Sequence, residues 1–349
     1  MATNYLTRSP GTPTSEKIAT MSCWVKVNDV AGSIGLFAQT ASSSGNGVML
    51  LINASSHLEF YATNGSSQAA RLVTNRKLRD PLAWYLIQCH IDTTQGTSAD
   101  RIKLYVNGVQ ETSLSVASYP TQNINLNGFD GSGNQIFGSL DNLSYNCKAD
   151  IADAYFIDGS IIASNQFWET DATTGQIKPK LNPTIGSFGT NGYHLKFENA
   201  NAGIDSKPSG ASNFSTTGTI RQQVDTPSNV FATLNPLTRM ASVITLSNGN
   251  NTITTDSSST FVTATSTLAM SSGKYYFEMK RIAERGLIGI TNVETTKLNL
   301  TSQYYPGDTD NSNDYGYYSD DGKVYNNGNP TGSGATWGNG DIVGCAVDL

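Results

Sequence analysis

Short runs in which apolar and polar residues alternate, broken by Gly, Asn and Ser clusters about every ten residues, dominate this chain and restrict it to β-sheet. IATMSCWVKV, SIGLFAQ, GVMLLIN, HLEFYAT, AWYLIQCHID, RIKLYVNG and DIADAYFIDG read as strands. A period of two fixes which side chains share a face. In AWYLIQCHID, Trp84, Leu86, Gln88 and His90 point one way, and Tyr85, Ile87, Cys89 and Ile91 point the other, which is the drier face. Asn107-Gly108 is a two-residue hairpin turn, because both residues tolerate positive φ. No long amphipathic helix is visible, and no repeat of fixed period supports a solenoid or propeller.

A length of 349 residues favours two domains. Charged residues make up only 14% of the chain, against about 25% in an average soluble protein, and the formal net charge is −6. With no Lys/Arg cluster to neutralise phosphates, nucleic acid is excluded as an expected partner. No stretch approaches the about 18 apolar residues of a membrane span, so no membrane insertion is expected. MATNYLTRSP lacks the apolar core of a signal peptide, so synthesis in a cytoplasm is expected. Cys23, Cys89, Cys147 and Cys345 form no metal-binding spacing, and the first two sit in apolar runs as small buried hydrophobes.

Catalytic constellations find little support. Glycoside cleavage needs two carboxyl groups held about 5 Å apart or somewhat farther, and Glu59, Glu111, Glu198 and Glu278 each lack a second acid two residues away. Asp150 and Asp153 point to opposite faces of a regular strand, and Asp158-Gly159 is a turn. GDTDNSND places Asp308, Asp310 and Ser312 at calcium-loop positions, but Asn313 stands where the loop needs Gly and Ser319 where it needs Glu. No cofactor is therefore expected, with a looser calcium site left open. His57, His90 and His194 lie in separate strands, and the Gly-rich stretches GSGNQIFGSLDN and NNGNPTGSGATWGNG read as turns.

The order of CWVKV, a central W-Y strand ending in Asp92, KLYVNG and a returning strand resembles a concanavalin A-like, laminin G-like jelly roll. The succession from DIADAYFIDGSIIASNQFWETD through GSFGTNGYHLKFENA to SNVFATLNPL resembles a segment of tail-fibre and appendage proteins of double-stranded DNA phages. It reads as a closing strand, a short helix capped by Ser164 or Asn165, a turn at Thr190-Asn191-Gly192 and a strand YHLKF. From Asn235, the runs VITLSNG, NTITTD, TFVTATST, SGKYYFEMK, GLIGIT, DYGYYSD, KVYNNG and DIVGCAVDL resemble a SPRY (B30.2-like) β-sandwich. Such a sandwich continues past the last of these runs, so by that resemblance the fold is incomplete at Leu349.

The expected architecture is all-β, with a jelly roll over 1–165, a connecting extension packed on it over 166–234 and a SPRY-like sandwich over 235–349. The resemblances imply a non-catalytic virion protein, a tail-fibre or appendage component that binds a host-surface glycan or receptor and contacts other virion proteins. Homo-oligomerisation is implied too, as a trimer if the protein is a fibre. A capsid or neck decoration protein and a glycan depolymerase are the alternatives. SPRY domains bind through loops at one rim, which makes Tyr304, Tyr305, Asp308 and Asp310 candidate ligand contacts, with Asn326, Asn329 and Trp337 beside them.

Overall fold

The computed structural model of the chain describes residues 4–29, 32–40, 46–140, 147–198, 201–239, 243–256, 261–283, 285–292, 304–309 and 312–349. Among them the regular structure is β-strand with two one-turn 3-10 segments, and no helix is long and apolar enough to cross a membrane. The chain divides into two compact units, Met1–Phe231 and Ala232–Leu349. The division falls just before Asn235, where the sequence places the start of a second domain.

The first unit is built on two antiparallel sheets. One contains β1 (Tyr5–Arg8), β3 (Ile34–Thr40), β4 (Gly47–Ile52), β5 (His57–Asn64), β6 (Ser67–Lys77), β10 (Leu114–Ser118), β11 (Asn134–Phe137) and β16 (Ser215–Thr217). Its spatial order is β10-β6-β5-β4-β3-β11-β1-β16. The other contains β2 (Ile18–Val27), β7 (Trp84–Asp92), β8 (Ile102–Val106), β9 (Val109–Gln110), β12 (Ala149–Asp158) and β15 (Tyr193–Leu195), in the order β15-β12-β2-β7-β8-β9. A small ribbon joins β13 (Trp168–Thr170) to β14 (Ile177–Pro179).

Alternation sets the core. Met21, Cys23, Val25 and Val27 of β2 meet Ile87, Cys89 and Ile91 of β7 and Leu36, Leu50 and Phe60 of the facing sheet. Each such side chain contributes about 1.5–3 kcal/mol on burial. Cys23 and Cys89 are free and buried, and burial pushes the Cys23 thiol up to about 12. They behave as the small hydrophobes expected.

The hairpin at Asn107-Gly108 forms as read, with φ of 53° and 77°. It joins β8 to β9, pairing Val106 with Val109. A Cβ on Gly108 would lie 2.7 Å from the Trp168 ring.

Three readings change. The expected short helix is a single 3-10 turn, Ser164–Gln166, entered from Ala163 without a side-chain cap. The Ser164 hydroxyl donates instead to Gln88 Oε1 at 2.7 Å. The parity argument for Asp150 and Asp153 also fails, because β12 carries a bulge against β2 between Ala152 and Tyr155. Asp153 sits in that bulge at φ 50°, a conformation Asp tolerates better than most residues. Finally, Asp158, read only as part of a turn, is an interior carboxylate. Its carboxylate accepts from the backbone N–H of Thr14, Ser15 and Asn191 at 2.7, 3.0 and 3.0 Å.

The outer face of the six-stranded sheet is also covered. Thr20, Ser22, Trp24 and Lys26 of β2 and Leu86 and Gln88 of β7 are buried, although alternation points them away from the core. Residues after β12 lie over them. Ile162 N donates to Thr20 Oγ1 at 3.0 Å, and Gln88 Nε2 donates to the Ser164 carbonyl at 3.1 Å. Lys26 pairs with Asp225 at 2.7 Å, each side chain only 1% exposed. Arg8 anchors the same extension, and all five of its N–H donors are engaged: Gln135 Oε1, Asp205 Oδ2 and the carbonyls of Ser212, Asn191 and Gly192.

The second unit pairs β17 (Leu234–Arg239) with β20 (Ala264–Ser266) and β18 (Ile244–Ser247) with β19 (Thr252–Thr255). A longer ladder joins β21 (Lys274–Lys280) to β26 (Ile342–Asp348), so SGKYYFEMK and DIVGCAVDL are direct neighbours. The remaining sheet runs β22 (Leu287–Ile290), β23 (Tyr315–Tyr318), β24 (Lys323–Asn326) and β25 (Asn329–Ser333). Part of the Gly-rich stretch read as turns is therefore strand β25. Asn327 and Gly328, at φ 48° and 72°, form the hairpin turn before it by the same chemistry as Asn107-Gly108.

Candidate ligand-binding site

A surface cleft of about 500 Å³ opens on the outer face of the six-stranded sheet, beside the segment that follows β12. Its floor comes from neighbouring strands, with His90 and Asp92 from β7 and Lys103 and Tyr105 from β8. The register fixes this grouping, because His90 is paired with Lys103 and Gln88 with Tyr105. One wall is the loop carrying Gln95 and Asp100, and the other is Ile161, Ala163 and Ser164 after β12.

The loop wall is held in place. Arg101 donates to the carbonyls of Gln95, Gly96 and Pro120 at 2.9, 2.9 and 2.8 Å. Asp92 accepts from Thr94 N and Oγ1 and from Gln95 Nε2. A wall ordered before a ligand arrives loses little entropy on binding.

His90 is 8% exposed, its ring 4.6 Å from that of Tyr105, and its Nε2 is covered and without a hydrogen-bond partner. Burial, and then the nearby Lys103 ammonium, push its pKa down to about 4, so the imidazole is neutral at neutral pH. Burial raises Tyr105, which stays a phenol. Burial pulls Asp92 upward, but hydrogen bonds from Thr94 and Gln95 outweigh it and leave the carboxyl below its usual value. Asp100 is paired with Lys103 at 2.9 Å. The cleft thus offers a ring platform, an apolar wall at Ile161, which is 41% exposed, and hydrogen-bonding groups of both kinds.

The contact residues expected in the second unit divide. Tyr304 is interior, 4% exposed, its hydroxyl bonded to Asp314 and 2.9 Å from Thr291 Oγ1. Trp337 is also interior, 6% exposed, packed over Gly286 with the Arg281 guanidinium 5.9 Å from its ring. Their faces are already occupied, which removes both from a solvent-facing rim. Asp310 lies outside the described residues.

Tyr305, Asp308, Asn326 and Asn329 do gather at one end of the four-stranded sheet. Gly328 N donates to the Gly307 carbonyl at 2.8 Å and ties their loop to the hairpin turn. Asn326 Nδ2 donates to the carbonyls of Ser312 and Asp314, so it shapes the loop. Tyr305 packs 4.5 Å from Phe261 and is half-buried, whereas Asn329 is exposed.

One cluster brings together residues far apart in sequence. His194 Nε2 lies 2.7 Å from Asp153 Oδ1, and its ring stacks on Tyr155 at 4.0 Å. Among the described residues no three His, Cys, Asp or Glu side chains are grouped to hold a metal ion. Sequence reasoning does not find the cleft, yet a signal for it is present: His90 lies on the outward face of β7, and the pairing of β7 with β8 places Tyr105 beside it.

Residues 2–161 match a laminin G family model described as the concanavalin A-like lectin/glucanases superfamily. No curated protein matches the chain. Among solved structures it is similar to a candidate carbohydrate binding protein from Bacteroides ovatus, with 13% identity and a TM-score of 0.43 over 65% of this chain. The chain spans 62% of that protein's length. A SAP-like pentraxin from Limulus polyphemus has 15% identity and a TM-score of 0.33, over 47% of this chain and 74% of the pentraxin. Domains LG4–5 of the mouse laminin α1 chain have 13% identity and a TM-score of 0.33, over 53% and 47% respectively. The two packed antiparallel sheets and the family match together identify residues 2–161 as a concanavalin A-like, laminin G-like jelly-roll domain.

Proposed function

We propose that this is a non-catalytic glycan-binding protein of a double-stranded DNA phage particle, a tail-fibre or appendage component that adheres to the host surface. The observation that carries the binding reading is the cleft at His90, Lys103 and Tyr105, which places a ring platform among hydrogen-bonding side chains on a lectin-type jelly roll. The carboxylates there suit binding better than hydrolysis. Hydrogen bonds from Thr94 and Gln95 hold the Asp92 carboxyl below its usual value, the opposite of what a general acid needs, and Asp100 is tied to the Lys103 ammonium.

The particle assignment is supported by the resemblance of the segment after Asp150 to phage appendage proteins, and the second unit by its likeness to a SPRY sandwich. The rim at Tyr305, Asp308, Asn326 and Asn329 is the second contact surface in this reading. Weak sites gain strength when copies are linked, which favours a homo-oligomer, a trimer in a fibre, among other virion proteins. No cofactor has a part in the proposal.

A glycan array probed with the full chain tests adhesion, and specific binding to host-derived glycans is expected. Release of reducing ends from host polysaccharide would overturn the non-catalytic assignment. Locating the chain on a particle reconstruction tests the rest, because a position buried among capsid subunits replaces adhesion with decoration.

A further inference from the structure

We propose that the cleft between the β7–β8 edge and the Ile161–Ser164 segment selects uncharged, hydroxyl-rich sugar rings and discriminates against carboxylated ones. The inference rests on the glycan-binding reading above and narrows it to a chemical class.

The first argument is charge. The ionised groups lining the cleft are Asp92, Asp100 and Lys103, and the Lys103 ammonium lies 2.9 Å from Asp100. Arg101, at the base of the loop, spends its guanidinium on three carbonyls. His90 is neutral at neutral pH. An acidic sugar therefore meets a lining of net negative charge in which the described cation already has an anionic partner. Displacing Asp100 from Lys103 to admit another carboxylate exchanges one ion pair for another and gains little.

The second argument is what the cleft lacks. An imidazole nine-tenths covered, with Nε2 unpartnered, is costly, since buried polar groups are almost always hydrogen-bonded. Nε2 is covered by protein, so a sugar hydroxyl, which both donates and accepts, reaches it in either tautomer only with movement of the side chains above it. Asp92, Gln95 and Ser164 add acceptors and donors around the same opening. Tyr105, tilted against His90 by 46°, and the exposed Ile161 offer apolar surface to the C–H faces of a ring.

The test uses the full chain, with calorimetry and saturation-transfer NMR against maltotriose, cellotriose and lactose on one side, and sialyllactose and digalacturonate on the other. Neutral sugars are expected to bind at least about tenfold more tightly than acidic ones. Their affinity is expected to stay constant as salt rises from about 0.05 M to about 0.5 M, since no charge pair is involved. Tyr105→Ala and His90→Phe are each expected to weaken binding about tenfold or more. His90→Phe keeps an aromatic ring, somewhat larger than the imidazole, and removes an unsatisfied polar group; its melting temperature, measured alongside, separates lost binding from lost folding.

Acidic sugars that bind more tightly than neutral ones, with loss in both variants, would overturn the class and leave the cleft and the glycan reading standing. Neutral binding untouched by either variant would overturn the cleft alone. Binding of neither kind, with glycan arrays also blank, would overturn the glycan reading itself.

Discussion

Arg8 is where the architecture of the first unit is most open to test. Replacing it with Met preserves much of its length and removes every polar bond it makes. The loss is bounded by what its partners keep. Asp205 retains backbone donors from His194 and Lys207 on Oδ1 and from Ser212 on Oδ2, and the Lys207 ammonium lies 4.0 Å away. The Gly192 carbonyl keeps Lys207 Nζ, and the Asn191 carbonyl keeps Gln135 Nε2. The Ser212 carbonyl loses its guanidinium partner, and the rings of Tyr193 and Phe214 lose a cation 5.1 and 4.6 Å from their centroids. Breaking a buried pair typically costs about 3–5 kcal/mol, and the retained partners place Arg8→Met at the lower end, about 3 kcal/mol. For a unit of this size that lowers the melting temperature by about 6–12 °C in calorimetry of the full chain. Arg8→Lys should fall between, because one ammonium cannot reach Gln135, Ser212 and Asn191 together. Limited proteolysis should cut first within residues 201–214, the segment Arg8 ties down at Asp205 and Ser212. A melting shift below about 2 °C, with no change in cleavage, would show that the extension does not depend on this guanidinium.

Gly108→Ala combines left-handed φ with contact against the Trp168 ring, and should cost about 2–4 kcal/mol in urea unfolding; an effect below about 1 kcal/mol would mean Trp168 is not seated there. His90 binds a proton less readily folded than unfolded, so stability is full above 6.5 and falls by about 1.4 kcal/mol per pH unit down to about 4. Denaturation midpoints of His90→Phe should lack that part of the slope. Asp150 runs the other way, since burial pushes its carboxyl up to about 6, against an Asn28 hydrogen bond and the Lys26 ammonium. Its charged form weighs on the fold above that pH and the burden is gone below 3.8, so Asp150→Asn should stabilise the protein in mild alkali and give no gain in acid.

The strands are legible because burial on one face leaves a period of two in the residues themselves. Ile87, Cys89 and Ile91 face the core as alternation requires, and all eight strand runs expected in the second unit contain strand. Hairpin chemistry is legible at Asn107-Gly108, and the same signal at Asn327-Gly328 is masked by the Gly-rich run around it. The bulge at Asp153 is not legible, since one extra residue shifts every later side chain by a face without a compositional mark.

Of the proposed contact residues, Asn329 is exposed, whereas Tyr304 and Trp337 turn inward. An aromatic residue near a loop has the same sequence context whether it faces water or the core, and only the packing around it decides.

Sequence by itself therefore determined the sheet class and the dry face of each strong strand, and its resemblance to a jelly roll over residues 1–165 overlaps the family match over 2–161. Tertiary structure alone decided what lies over the opposite face. Thr20, Gln88 and Lys26 look solvent-facing by periodicity and are buried because residues after Asp158 fold back across them. The Arg8–Asp205 and Lys26–Asp225 pairs join positions 197 and 199 residues apart, and the cleft opens beside that cover, with Ser164 in its wall. A local pattern records the face a strand turns to its own core. Cover from a distant segment depends on where the chain returns, and that is set by contacts formed only on folding.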